Sequence, residues 1–471
     1  MSKQQETATA PPSTPPGLRP AGTAPSPGTS PNDTDHRVNG FSKLTKDGRR
    51  EWLAATYLPN GQTAGLDRFD AADATMQEVL DGFSENTLAN YPLPFGVAPN
   101  FLINGKVYAV PMVIEESSVV AAASSAAKYW LTRGGFQTQV VATEKLGQVH
   151  FRWSGRPERR AALLPTLRTR VRAQTAELTA RMEARGGGLR ELRWLHLPEV
   201  ASDCYQLLVS FGTADSMGAN FINTVLEAIG SILEAWALDT PELTAEEREL
   251  GVVMAILSNH TPNCVVTARV SSPIEEMNIP GAGVDAADFC RRFHYAVEIA
   301  RQDTYRAVTH NKGIMNGVDA VVLATGNDFR ATEAAVHAFA ARNGRYRSLS
   351  RCRIEGDRFI FELTLPLSLG TVGGLTKLHP LASTALDLLG RPGAEELMSV
   401  AAATGLAQNF AAVRSLVTTG IQRGHMKMHL QNILSSLEAT PEERRGAMAF
   451  FHQRTISHHG VRQYLDKVRK G

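Results

Sequence analysis

The 471-residue chain has the composition of an ordinary globular protein, with 43% hydrophobic and 20% charged residues. Its length allows about two to four domains. A net charge of +2 gives no reason to expect nucleic acid or an anionic membrane as the main partner. We find no apolar run of membrane-spanning length and no apolar signal segment. The four cysteines are scattered without metal-binding spacing, so we predict a cytoplasmic protein without a metal site.

The first 37 residues are rich in Pro, Ser, Thr, Gly and Ala and nearly free of large apolar side chains. Such a segment buries too little surface to offset the entropy lost on ordering. We therefore expect a disordered tail over residues 1–37. Folded sequence begins near Phe41, where Ser42 or Thr45 is placed to cap a short helix.

Residues 85–130 contain a loop rich in proline and glycine, followed by a short predicted strand, "KVYAVPMV". An alanine-rich helix is expected after Glu115 and Glu116, and its small residues favour close packing. Residues 136–215 then read as a strand, a long helix rich in Arg and Ala, a glycine run and two more strands. This order predicts a small α+β unit inserted in a larger domain, and a candidate cofactor domain.

A helix begins next, at "DSMGAN", with Asp215 expected at its N-cap position. The rest of the chain alternates strands such as "RFIFELTLPLSL" with helices such as "AEELMSVAAATGLAQNFAAVRSLVTTG". A final helical piece closes the chain. We find no repeat of fixed period.

The stretch "THNKGIMNGVDAVVLATGND" places Lys312 in what reads as a glycine-rich loop before a strand, "DAVVLAT". Two interpretations fit the local sequence about equally well. In one, Lys312 buries its stem at a turn and keeps its charge in water. In the other, Asp328 at the far end of the strand keeps Lys312 charged, and the ammonium polarises a carbonyl oxygen.

Six segments, taken in chain order, together resemble 3-hydroxy-3-methylglutaryl-CoA reductase of the soluble bacterial type, class II. They are "ENTLANYPLPFGVAPNFLINGK", "EESSVVAAASSAAK", "DSMGANFINTVLE", "ILSN", "YRAVTHNKGIMNGVDAVVLATGNDFRATEAAVHAFA" and "GLAQNFAAVRSLVTTGIQRGHMKMH". The resemblance runs from about residue 40 to the end of the chain.

The resemblance implies an α+β fold with three folded parts. A large mixed domain that binds substrate would comprise residues 38–112 and 218–420. A small ferredoxin-like domain that binds the dinucleotide would be inserted at residues 113–217. A C-terminal helical flap would cover residues 421–471. The family also implies a homodimer or a dimer-based oligomer with the active site at the interface.

The implied reaction converts 3-hydroxy-3-methylglutaryl-CoA to mevalonate and CoA by two successive hydride transfers from NAD(P)H, a step of isoprenoid biosynthesis. The resemblance assigns one catalytic cluster to Glu85, Lys312, Asp328 and His425. Lys312 would stabilise the first oxyanion, and His425 would protonate the departing CoA thiolate. Glu85 would supply the proton when the aldehyde is reduced, and Asp328 would keep Lys312 charged.

Further residues match positions that bind substrate and dinucleotide in the family. Arg306 resembles the arginine that binds the substrate's free carboxylate, and Asn316 lies four residues after Lys312 in the expected substrate-side loop. The segment that resembles the cofactor loop contributes Asp215, Met217, Gly218 and Asn220.

The choice of dinucleotide depends on the helix before the glycine run. Where an enzyme that uses NADH would be expected to carry an acid, this chain has Thr179, flanked by Arg181 and Arg185. Arginines favour the 2′-phosphate, so we predict a preference for NADPH over NADH. Two alternatives stay open: the same fold run oxidatively with NAD in mevalonate breakdown, and a non-catalytic relative that binds CoA esters.

Overall fold

The structure is a computed structural model. It describes residues 36–58, 61, 65–281, 283–418, 430–451, 454 and 456–470. The chain divides into two compact units, Met1–Tyr91 and Pro92–Gly471. Nearly all of the predicted disordered tail and the predicted catalytic residue His425 lie outside the described residues.

The first unit contains helices α1 (Lys46–Tyr57) and α2 (Ala74–Asp81). The side chain of Thr45 accepts a hydrogen bond of 3.1 Å from the amide of Gly48, which confirms the predicted cap of α1. The ammonium of Lys46 donates to Asp70 and to Asp81. These two bonds tie the start of α1 to the end of α2 and to the loop before it.

The second unit mixes helices and strands. Its elements up to residue 417 are β1 (Phe95–Ile103), β2 (Lys106–Val113), α3 (Val119–Leu131), β3 (Gln137–Val140), β4 (Lys145–Arg152), α4 (Arg160–Glu183), β5 (Gly188–His196), β6 (Cys204–Gly212), α5 (Ala219–Asp239), α6 (Ala245–Arg248), β7 (Gly251–Ser258), β8 (Val265–Pro273), α7 (Ala286–Gln302), α8 (Thr304–Ala324), α9 (Phe329–Ala340), β9 (Ser350–Glu355), β10 (Arg358–Pro366), α10 (Leu375–Leu378), α11 (Pro380–Leu388) and α12 (Ala394–Val417).

The larger core lies between one sheet and the helices that cover it. Strands β3, β8, β10 and β9 form this antiparallel sheet in that order, and β1 pairs with β2 in a separate hairpin. Phe410 of α12 is buried between Trp130 of α3 and Phe293 of α7, with ring centroids 5.2 Å and 5.5 Å away. Aromatic contacts of this kind join α12, α3 and α7 into one apolar core.

Helix α8 includes the segment that was expected to be a strand, so that expectation is wrong. Val318, Val321 and Val322 are fully buried in it, and α12 packs along its length. A helix buried on several sides has apolar residues at nearly every position, which imitates the pattern of a buried strand. Helix–helix packing overrides the β-preference of the valines.

The smaller core belongs to a second antiparallel sheet, with strand order β5-β6-β4-β7. Along the chain its elements run β4, α4, β5, β6, α5 and β7, and α4 packs against α5. The predicted order of strand, helix, strand and strand is therefore present, and it continues through one more helix and strand. Val149, Leu207 and Ile229 are among the fully buried residues of this core.

The two hydrophobic cores divide the chain differently from the predicted segment 113–217. The buried residues of the smaller core run from Val149 to Leu250, whereas α3 contributes to the larger core. The apolar pattern of α5 does not by itself reveal which sheet the helix covers. The domain boundaries inferred from the sequence stay a prediction.

Helix α5 is long and apolar enough, by length and composition alone, to cross a membrane, the one such helix in the described chain. Core helices share these properties. Leu226, Ile229 and Leu233 of α5 are completely buried, so the apolar composition of α5 is accounted for by packing on the second sheet.

The last part of the described chain has a small core of its own. Three short helices form it: α13 (residues 430–436), α14 (Pro441–Phe450) and α15 (His458–Arg469). Leu434, Ala447 and Val461 are buried between them. Thr440 and Glu443 form a reciprocal capping box that begins α14.

Gly317 tests the close approach of α8 and α12. A Cβ at Gly317 would lie 2.7 Å from the carbonyl oxygen of Thr404, so we expect Gly317→Ala to lower the free energy of unfolding by about 1–3 kcal/mol. Gly313 lies one turn earlier in the same helix, with nothing within 4 Å of such a Cβ. Gly313→Ala should instead raise the free energy of unfolding by up to about 1 kcal/mol. Urea unfolding measures both, and equal changes would exclude the glycine contact.

Candidate active site

One large cavity lies beside Lys312. It has a volume of about 830 Å³ and is lined by α8, α12 and the start of α3, all within the second unit. Arg306, His310 and Asn316 line it together with Lys312. All four side chains come from α8. Arg306 and His310 are four residues apart, as are Lys312 and Asn316, so the members of each pair lie one above the other on the helix surface.

Lys312 is paired with an acid that the sequence analysis did not assign. Its Nζ lies 2.5 Å from Oε2 of Glu116, and Nδ2 of Asn316 donates to the same oxygen over 3.3 Å. The lysine side chain remains 60% exposed. Glu116 precedes α3 in the segment "EESS", and the only sequence signal for it was its place in a family motif.

Asp328 does not pair with Lys312 within one chain. Its Oδ1 accepts a hydrogen bond of 3.0 Å from the amide of Ala331, so it caps α9, and Arg330 lies 3.5 Å away. Twelve residues of α8 follow Lys312, which correspond to about 18 Å of helix. The expected pairing assumed a strand and loop that return to the same end, and the helix carries the chain away instead.

Arg306 is a half-buried cation without a protein partner. Its guanidinium lines the cavity, and the described residues offer it no hydrogen bond or ion pair. Burial lowers the pKa of Arg306, although an arginine stays charged at any physiological pH. A desolvated guanidinium fork of this kind suits a carboxylate ligand, which it can bind through two parallel hydrogen bonds.

His310 lies at the floor of the cavity and is only 2% exposed. Ser350 donates to Asn409 and therefore accepts the 2.6 Å hydrogen bond from Nε2 of His310. Burial, reinforced by the charge of Arg306, lowers the pKa of His310 to about 3. The imidazole is thus neutral, with Nδ1 as an acceptor that has no partner among the described residues.

The cavity floor also contains the side-chain carbonyl oxygen of Gln408, which is buried and has no partner among the described residues. Buried polar atoms are normally hydrogen-bonded, and exceptions often mark functional sites. The cations of Arg306 and Lys312 suit an anionic ligand, whereas these two acceptors suit a hydroxyl group on it. Hydrogen-bonding groups on such a ligand would satisfy Nδ1 of His310 and the oxygen of Gln408.

Glu85 belongs to the first unit, where it lies in an exposed turn after α2. It lines a cavity of about 400 Å³ with Lys46, Arg49 and Asn86. Asn86 has a left-handed backbone with φ of 57°, a conformation that asparagine adopts more readily than most residues. The two helices described in the first unit are capped at their N-termini by Thr45 and Asp73 rather than by Glu85.

The predicted cofactor loop leads from β6 into α5. Gly218, with φ of 90°, is the N-cap residue of α5 and provides no side-chain cap. Asp215 was expected at that position, and the expectation is wrong: its Oδ1 accepts from the amide of Ala394 over 2.8 Å and caps α12. Met217 precedes the cap, and Asn220 is exposed in the first turn of α5.

The loop and α5 fit the phosphates of a dinucleotide. The amides of the first turn of α5 have no side-chain cap, and a helix N-terminus of this kind favours anions. The ammonium of Lys145 lies beneath the same loop. Within the described residues, no group of three or more His, Cys, Asp or Glu side chains could hold a metal ion.

The residues predicted to select the dinucleotide lie on α4. Thr179 is buried, and its hydroxyl donates to the carbonyl of Thr175 over 3.1 Å, so it is not available to a ligand in this conformation. Arg181 and Arg185 are exposed near the C-terminal end of α4. Any contribution to binding a 2′-phosphate therefore falls to the two arginines.

The chain resembles known proteins over most of its length. A sequence model of the family described as "Hydroxymethylglutaryl-coenzyme A reductase" matches residues 45–430. The 3-hydroxy-3-methylglutaryl-coenzyme A reductase of Archaeoglobus fulgidus is 36% identical over 414 residues, which cover 86% of this chain and 88% of the relative. A probable reductase of the same name from Borreliella burgdorferi is 31% identical over 362 residues, covering 77% of this chain and 80% of the relative.

A solved structure resembles the chain as well. The class II reductase from Streptococcus pneumoniae, described as bound to NADPH in open conformations, superposes with a TM-score of 0.66 at 36% identity. The match covers 80% of this chain and 99% of that chain.

The buried histidine should make stability depend on pH. The pKa of His310 is about 3 in the folded protein, against 6.5 for an ordinary histidine. Below about pH 6.5 the unfolded chain binds a proton that the folded protein excludes, so this part of the stability is lost as the pH falls. As the pH falls, we expect His310 to lower the free energy of unfolding by up to about 1.4 kcal/mol per pH unit, and this contribution should be absent in His310→Gln.

Urea unfolding between about pH 7 and about pH 4 measures this slope. His260→Gln, at an exposed position, provides the control and should keep the wild-type slope. Identical slopes for wild type and His310→Gln would contradict the assignment of a neutral, buried imidazole.

Proposed function

Because the chain belongs to the hydroxymethylglutaryl-coenzyme A reductase family, we propose that it reduces 3-hydroxy-3-methylglutaryl-CoA to mevalonate and CoA. A single observation supports this most directly: one cavity contains the Lys312–Glu116 pair and the unpartnered guanidinium of Arg306. The substrate has a thioester carbonyl and a free carboxylate, which are the groups that such cations bind.

Arg306 binds and orients the substrate. Its guanidinium binds the free carboxylate. This contact replaces the hydrogen bonds to water that the half-buried guanidinium has lost. Lys312 lies six residues further along α8 and lines the same cavity. The carboxylate and the thioester carbonyl of one substrate molecule can then be held at two points of a single rigid element.

The two reductions need a positive charge beside the carbonyl oxygen, and they need two protons. Two molecules of nicotinamide dinucleotide, bound one after the other, would supply one hydride for each reduction. Lys312 stabilises the oxyanion that forms when the thioester carbonyl is first reduced. The resulting hemithioacetal breaks its C–S bond, and His425 gives a proton to the CoA thiolate. Glu85 gives a proton to the alkoxide when the aldehyde is reduced.

Glu116 is an additional member of this machinery. Its carboxylate accepts hydrogen bonds from Lys312 and Asn316, so it fixes the direction of the ammonium. The resemblance placed Asp328 beside Lys312. Within one chain Glu116 occupies that position, and Asp328 caps α9 instead.

The protein forms a homodimer with the active site at the interface. Two features support this assembly, one in α8 and one at the start of α9. Tyr305 is 90% exposed and Val308 is 50% exposed, so the helix presents apolar side chains next to the cavity. Asp328 lies away from Lys312 of its own chain, and a second copy can bring its Asp328 to the site.

The unit made of β4, α4, β5, β6, α5 and β7 is a ferredoxin-like domain that binds the dinucleotide. The strand order β5-β6-β4-β7, with a helix after the first and the third strand, supports this. Arg181 and Arg185 select NADPH through its 2′-phosphate. The segment 421–471 acts as a helical flap that carries His425, and the enzyme works in the cytoplasm.

An absorbance assay at the nicotinamide band tests the function. The purified chain should oxidise two molecules of NADPH for each molecule of 3-hydroxy-3-methylglutaryl-CoA, since a thioester needs two hydrides to become an alcohol. Parallel runs with NADH, and in reverse with mevalonate, CoA and the oxidised nucleotides, establish the preferred cofactor and direction. Absence of turnover with both nucleotides would disprove the proposal.

Lys312→Ala tests the assignment of the oxyanion-binding cation. We expect kcat to fall by about 10²- to 10³-fold, because the charge at the developing oxyanion is lost. The unfolding free energy should change by less than about 1 kcal/mol, since an exposed ion pair adds little stability. Lys106→Ala removes a comparable exposed pair, with Glu396 at 2.7 Å, and should leave kcat unchanged. Near wild-type turnover in Lys312→Ala would leave this lysine as an exposed surface charge.

A further inference from the structure

Lys145 is an almost completely buried lysine that has no acidic partner among the described residues. It begins β4, is 4% exposed, and donates three hydrogen bonds from one ammonium. The acceptors are Oγ1 of Thr213 at 2.6 Å, the carbonyl of Ser216 at 2.8 Å and the carbonyl of Met217 at 3.0 Å. All three belong to the loop that leads from β6 into α5.

A buried ammonium is expensive to maintain. Burial lowers the pKa of Lys145 to about 8, because the protein interior disfavours the charged form. The neighbouring residues of β4, such as Leu146 and Val149, are apolar and buried. A methionine would match this part of the strand without the loss of hydration, so packing alone does not explain a lysine here.

The ionisable groups around Lys145 do not neutralise its charge. The thiol of Cys264 is the nearest, and burial raises its pKa to about 11, so it is uncharged. The carboxylate of Asp215 in the same loop is used by the amide of Ala394. Glu144, next in the chain, binds Asn263 at the surface. The ammonium therefore retains an excess positive charge under the loop.

The three hydrogen bonds also determine how the loop presents its amides. In a planar trans peptide the carbonyl and the following amide point in opposite directions. Since the carbonyl of Met217 points to Lys145, the amide of Gly218 points away from it. That amide adjoins the uncapped first turn of α5. Backbone amides that converge at a helix N-terminus form an anion-binding concavity.

We propose that Lys145 is a positioning residue for the dinucleotide: its buried charge holds the loop 213–218 in the conformation that receives the anionic diphosphate at the N-terminus of α5. This inference rests on the proposed function, because it takes the loop and α5 as the dinucleotide site. Lys145 does not touch the ligand, since its three N–H donors are all used within the loop.

The mechanism predicts a dependence of nucleotide binding on pH. A protonated Lys145 donates three hydrogen bonds, whereas the neutral amine has only two N–H donors and no charge. At least one of the three acceptors in the loop then loses its hydrogen bond. Binding is tightest below the pKa of about 8 and weakens as the pH rises through it. Ligand binding itself favours the protonated form, which shifts the transition to higher pH in the complex.

The experiment compares Lys145→Met, Lys145→Arg and wild type as full-length chains. Fluorescence titration gives Kd for NADPH and for NADH between about pH 7 and about pH 9, a range that brackets the lysine. NADH carries no 2′-phosphate, so titration of that group does not enter its profile. Steady-state kinetics give kcat and the KM of each substrate. Lys128→Met, which removes an exposed lysine of α3, is the control.

We expect Kd and KM for both nucleotides to rise about tenfold or more in Lys145→Met, as for the loss of a charge-assisted hydrogen bond. The KM for the CoA ester should stay within about twofold, since Arg306 and Lys312 are untouched. Wild-type Kd should rise across the pH range, and that of Lys145→Met should not. Lys145→Arg, which keeps the charge, should regain part of the affinity. Lys128→Met should behave as wild type.

Unchanged nucleotide affinity in folded Lys145→Met would overturn the inference while leaving the reductase function intact. If Lys145→Met does not fold, the wild-type profile decides, and a Kd for NADH that is constant across the range overturns the inference. NADPH could also bind tightly and depend on Lys145 while the CoA ester is not turned over. That result would support the inference about Lys145 and disprove the proposed reductase function.

Discussion

The close packing of α8 against α12 determines where the candidate active site lies. Gly317 of α8 meets the backbone of α12 at Thr404, and Gly405 of α12 meets the side chain of Val318, where a Cβ would lie 2.7 Å away. Two such contacts fix the rotation of α8 about its own axis. Arg306 and Lys312 face the cavity as a consequence, and their relative positions are set by the helix rather than by a flexible loop.

The two regions proposed to bind ligands hold their cations in different ways. In the cavity, Lys312 is exposed and paired with Glu116, so its charge is maintained at little energetic cost. Under the loop 213–218, Lys145 is buried and bonded only to neutral acceptors. The first arrangement suits a residue that contacts a reacting group, and the second suits one that shapes a backbone anion site.

Much of the fold follows from local sequence. The long helix α4 and strands β2 and β10 were all predicted, because glycines, prolines and polar residues interrupt clear apolar patterns. The segment at the end of α8 was misread as a strand, since a helix buried on several sides lacks the polar face by which helices are recognised. The expectation that Asp215 caps α5 was also wrong. Only the start of α5 is near Asp215 in the sequence, but the start of α12 is near it in space, and its carboxylate binds the amide of Ala394 there.

The sequence by itself determined the family and the types of residue at the site, because six ordered motifs contain a lysine, an arginine and acids that thioester reduction requires. Only the tertiary structure decided which of these residues meet. Glu116 and Lys312 are 196 positions apart, and Lys145 and Met217 are 72 apart. Such contacts arise from the packing of whole helices and sheets, and a local pattern of side chains does not encode which distant residue will lie opposite.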